Sequence, residues 1–172
     1  MVQSPRPTAL RFPFPGVRRL SARLPPLSCY VIHLGLAIMP FPLDIQFVKR
    51  AEAKLGRKLP LGYVAKMCRD NGGEVDTGTD HWCLYPIFDD SDRNRLKRTC
   101  NDIVRETARA REWPDFPPDA LAIGNNGGGD LLVLLADPET PRYADAVYWW
   151  DHETGELNKV ADAFEELAGK RG

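Results

Sequence analysis

Residues 123–135 read IGNNGGGDLLVLL, a glycine-rich turn set directly against the most apolar run of the chain. Gly124, Asn125, Asn126, Gly127, Gly128 and Gly129 are residue types that reach positive φ at little cost, so the segment predicts a sharp turn, closed by Asp130. Leu131 to Leu135 is then unbroken apolar chain, bounded by Asp130 and by Asp137-Pro138. It is too short for a lone helix and predicts a buried strand, with a buried helix segment as the alternative. Ala120 to Ile123 predicts the short strand that enters the turn.

Upstream, an apolar stripe of Ile45, Val48, Ala51, Ala53 and Leu55 predicts a helix from Asp44 that Gly56 stops. Leu59-Pro60 opens a second, whose buried side is Tyr63, Val64, Met67 and Cys68 and which Asn71-Gly72-Gly73 ends. Glu74 to Asp80 reads as polar loop, and His81 to Phe88 as a strand that Pro86 brings to an edge. Ser91 or Asp92 caps a third helix reaching about Arg111, with a densely basic outer face, and Trp113-Pro114 and Pro117-Pro118 break it. Downstream, Asp137 to Asp145 reads as loop, Ala146 to Trp150 as a strand and Asp151 to Gly155 as a turn. Leu157 to Val160 gives a further short strand or runs into a last helix, capped by Asp162 with Glu165 and anchored by Phe164 and Leu167.

The chain has 172 residues, 43% of them hydrophobic and 27% charged, which suits a globular protein with one core. Residues 1–38 differ: proline-rich, acid-free and without helical or strand period, they are expected to lie outside the fold, either as a leader or because Met39 is the true start. The domain expected is 39–172. Its charge is informative. With the five arginines of residues 1–39 set aside from the total of 23 Lys+Arg, 18 remain against 24 Asp+Glu, a net of −6. An acidic body disfavours nucleic acid as partner and favours a basic protein.

No catalytic or cofactor motif is present. His81 and His152 are isolated; a metal site from His81, Cys83, Cys68 and Cys100 lacks the spacing of zinc ligands, so no metal or other cofactor is expected. The glycines open a strand rather than the helix that a phosphate-binding loop requires. Trp149 and Trp150, adjacent on a strand, are expected on opposite faces, one in the core and the other exposed as a binding anchor.

Taken as a set, AEAKLGRKLPLGYVAKMCRDNGG, IGNNGGGDLLVLL and AVYWWDHETGELNKVADAFEELA resemble the SUKH superfamily of Smi/Knr-like immunity and regulatory proteins, over residues 44–168. The resemblance implies a single α+β domain, a mainly antiparallel sheet flanked by helices, and a non-enzymatic role in binding another protein. In bacterial members that role is immunity, the neutralising of a toxin, often a nuclease, of a polymorphic toxin system. A regulatory scaffold without a toxin partner is the alternative, and a small-molecule or nucleotide-binding enzyme the third. For an acidic inhibitor of a basic toxin domain, the contacts expected are Asp76, Asp80, Asp89, Asp90 and Asp92 in loops, with Asp151 and whichever of Trp149 and Trp150 faces out. A cytoplasmic protein with no membrane contact is the expectation that goes with this reading.

Overall fold

The computed structural model describes residues 40–168. The expectation that residues 1–38 form a tail concerns residues outside that stretch. Helix α1 (Ile45–Leu55) begins where the Asp44 carboxylate accepts the Gln46 N–H at 2.9 Å and ends at Gly56, whose φ of 70° only glycine takes cheaply. Its buried side is Phe47, Val48 and Ala51, while Ile45 and Ala53, expected on the buried stripe, are exposed. Helix α2 (Leu61–Arg69) follows Pro60 and buries Tyr63 and Met67.

Six antiparallel strands follow, β1 (Glu74–Asp76), β2 (His81–Leu84), β3 (Ala120–Asn125), β4 (Leu131–Ala136), β5 (Tyr143–Trp150) and β6 (Leu157–Ala161), each paired with the next in chain order. Two segments expected as loop are therefore strand in part: Glu74 to Asp76 pairs with His81 to Cys83, and β5 starts at Tyr143. A three-residue edge strand such as β1 carries too little alternation for sequence to announce it.

Asn71 splices the α2 exit to the chain leaving β2. Its amide donates to Ile87 O at 2.8 Å and accepts from Ile87 N at 2.7 Å, and both residues are buried. Between β2 and β3 the single basic helix expected to Arg111 is two, α3 (Arg93–Arg98) and α4 (Ile103–Ala110). The break has a local cause. Thr99 turns its hydroxyl onto Arg95 O and Asp89 O, and Asp102 supplies a second N-cap by accepting from Val104 N and Arg105 N. The α3 cap is Asp92. Thr107 of α4 accepts the Ala122 N–H of β3 at 3.0 Å, covering a strand donor that β2 does not reach.

The strand face of Leu121, Leu132, Leu134 and Val147 is fully buried, and so are Ala122 and Val133 of the opposite face. The continuous apolar run of β4 reflects that cover on both sides. The last helix, α5 (Glu165–Ala168), sets Phe164 edge-on to Tyr63 at 5.0 Å. Of the cap expected from Asp162 with Glu165, the Asp162 N–H donates to Glu166 instead, and the Asp162 carboxylate meets Lys159.

Candidate functional site

Because the strands run as a meander, the β1–β2, β3–β4 and β5–β6 turns lie at one end of the sheet. The register fixes this: Asp76 pairs with His81, Asn125 with Leu131, Leu131 with Trp150 and Trp150 with Leu157. The glycine turn is the middle one. Gly127 and Gly129 take φ of 79° and 115°, as the sequence predicts, whereas Gly128 does not need a positive φ and Gly124 lies inside β3. Gly124 has a different reason to be glycine, since a Cβ there would stand 2.9 Å from Cys83 O across the ladder.

Asn126 ties the three turns together. Its Nδ2 donates to Asp80 Oδ2 at 2.7 Å and to Asp130 Oδ2 at 3.1 Å. Asp130 Oδ1 in turn accepts from His152 N and from His152 Nδ1. Burial pushes the Asp130 carboxyl up, but these hydrogen bonds outweigh it and hold the group below the usual carboxylate range. The His152 ring occupies the space a Gly129 side chain would fill, with ring atoms from 2.8 Å of the position a Cβ would take.

This end is acidic. Its turns and the link that packs on them carry Asp76, Asp80, Asp115, Asp130, Asp151, Glu153 and Glu156, and the segments 76–81, 125–131, 151–157 and 113–116 contain no lysine or arginine. Asp76 and Asp130 pair only with His81 and His152 among the described residues. Asp151 Oδ1 accepts from Glu153 N and Thr154 N, which shapes its turn, and it forms no ion pair among the described residues.

The acids expected to contact a partner fall into two sets. Asp76, Asp80 and Asp151 are at the turn end. Asp89, Asp90 and Asp92 lie together before α3, and there the protein supplies its own cations: Asp90 takes a bidentate Arg50, and Asp89 and Asp92 share Arg95. Asp89 corrects the expectation of an exposed loop acid, being fully buried. Burial raises its carboxyl, and the hydrogen bonds of Ser91 and Arg95 bring it below the usual range.

The tryptophan pair is corrected as well. Trp150 is fully buried under Trp113 and Phe116, and Trp149 is half-buried with its Nε1 out of solvent, so neither is the exposed ring expected. The 113–116 link covers the Trp150 face, which would otherwise have been open. The exposed tryptophan of this end is Trp113. In sequence it stands beside Pro114 at the end of the basic helix, and no local pattern marks it as exposed.

Among the described residues, the one grouping of metal-ligand type is Asp130, Asp151 and His152, whose ligand atoms lie within 4.8 Å of one another. Within it Asp130 is hydrogen-bonded to His152 and Asn126, and Asp151 to the backbone of its own turn. Cys83 and Cys100 are exposed and Cys68 half-buried, and they do not gather with His81. No helix among the described residues is long and apolar enough to cross a membrane.

A model of the SMI1 / KNR4 family (SUKH-1) matches residues 42–169, most of the chain. A comparison with curated proteins finds no match.

Proposed function

The chain belongs to the SMI1 / KNR4 family (SUKH-1), and from that premise we propose that it acts without catalysis, by binding a basic protein at the turn end of its sheet. The partner class proposed is a toxin domain, such as a nuclease, that this protein neutralises in the cytoplasm. The observation that carries the reading is the contrast between the two sets of acids. Those before α3 are paired with Arg50 and Arg95, whereas among the described residues those of the three turns form no ion pair with a lysine or arginine. A carboxylate already paired adds little field. Unpaired acids on rigid turns attract a cationic surface, speed encounter and discriminate against acidic partners.

The test is binding of the protein domain encoded beside this one, followed by calorimetry across a salt series. Tight binding that weakens as salt rises, and that falls when Asp76, Asp80 and Asp151 are changed together to Asn, supports the proposal. Binding that ignores both salt and that triple substitution overturns it. Asp90→Asn serves as the control, because its charge is already met by Arg50.

A further inference from the structure

Trp113 is 39% exposed, yet its ring is held. It meets His152 edge-on at 5.7 Å and Trp150 at 6.2 Å. Two residues on, Asp115 takes a φ of 64° and packs against Gly155, so the link carrying Trp113 is seated on the β5–β6 turn. An open aromatic ring thus stands against His152, whose ring is hydrogen-bonded to Asp130 and lies close to Asp151, on a link that also carries Asp115. The fully buried Trp150 in contact with it has an indole N–H without a hydrogen-bond partner among the described residues.

Resting on the reading of this end as a surface for a basic protein, we propose that Trp113 is the anchor that receives an arginine of the partner, its guanidinium stacked on the indole and its N–H donors turned to the carboxylates of this end. Charge complementarity alone would accept lysine equally. The aromatic face does not: a planar, weakly hydrated guanidinium stacks on indole and still presents donors at its edge, whereas an ammonium holds its water more tightly and offers no plane. The neighbouring rings add to the selection, because Trp150 and His152 support Trp113 edge-on and leave part of it to solvent. An anchor of this kind, an aromatic ring ringed by polar groups that keep water out, is where interfaces concentrate their affinity.

The test titrates the full chain with two probes, a nine-residue polyarginine and a nine-residue polylysine peptide, at low and at about 0.15 M salt. The result expected is tighter binding of polyarginine by about tenfold, with the difference abolished in Trp113→Leu through loss of polyarginine affinity alone. Leucine keeps apolar cover over Trp150, and Trp113→Phe, which keeps a ring of weaker quadrupole, should fall between the two even if the leucine variant melts early. Equal affinity of the natural chain for both peptides, or an unchanged preference in Trp113→Leu and Trp113→Phe, overturns the anchor and leaves the acidic surface standing. If Asp76, Asp80 and Asp151 changed together to Asn leave both peptides bound as before, the reading of the surface itself fails.

Discussion

His152 turns both its backbone N–H and its ring Nδ1 onto one carboxylate oxygen, Asp130 Oδ1, at 3.2 and 2.7 Å, across 22 residues of sequence. That pair clamps the glycine turn to the β5–β6 turn and holds the floor on which Trp113 rests. Asp130→Ala should therefore cost about 1.5–3 kcal/mol, the range for hydrogen bonds to a charged group. Denaturant unfolding of the variant checks it, and a loss below a few tenths would mean that the turns hold themselves.

The same pair sets a pH dependence. The folded Asp130 carboxyl titrates below its unfolded counterpart, so its contribution is fully present above the unfolded value near pH 4 and is lost as pH falls through the folded value. The stability gap between the natural chain and Asp130→Asn should shrink on acidification through that window. Parallel melting curves at pH 7 and near pH 3 would contradict it.

Within the glycine turn, substitution should be graded. Gly128→Ala should cost the least of the three, since its φ lies outside the left-handed region and its tightest contact, Asn126 Oδ1 at 3.3 Å, needs to give by only a few tenths of an ångström. Gly127→Ala should cost about 1 kcal/mol for φ alone, in otherwise open space. Gly129→Ala should cost more than either, because φ strain adds to collision with the His152 ring. Equal effects at the three positions would refute the geometry.

Asn71 stands in for a strand neighbour by pairing with both backbone groups of Ile87. Asn71→Leu leaves a buried N–H and a buried C=O without partners, and should lower stability by roughly 3 kcal/mol. Asn71→Asp keeps the acceptor alone and should recover only part of that, read from the same denaturation midpoints.

Lys66 caps the end of α2, donating to Asp70 O and Gly72 O, and burial lowers its amine to about 8. Between that value and the unfolded value near 10.4, the folded state binds fewer protons, so stability should rise with pH relative to Lys66→Met. Chemical denaturation at pH 7.5 and 10 tests the sign, and a gap that narrows with pH would reverse it.

What the sequence determined by itself was the set of elements whose cause is local. Asp44 and Gly56 bound α1, the glycines bound β4, and the run of leucines declared a strand buried on both faces. Each rests on a cap, a positive φ or an apolar run that neighbouring residues reveal. The break at Thr99 was local too, but a polar residue turning onto carbonyls inside a basic helix pattern leaves the periodicity intact. Only the tertiary structure decided which acids are free. Arg50 lies 40 residues from Asp90 in sequence, and Asn126 lies 46 from Asp80, so neither the neutralised cluster nor the joined turns could be read along the chain. Likewise Trp150 is sealed by Trp113 and Phe116 from another segment, and the exposed ring is therefore the one that spacing had marked as a breaker. Burial of a side chain depends on what the rest of the chain folds over it, and that is settled by packing between elements rather than by periodicity within one.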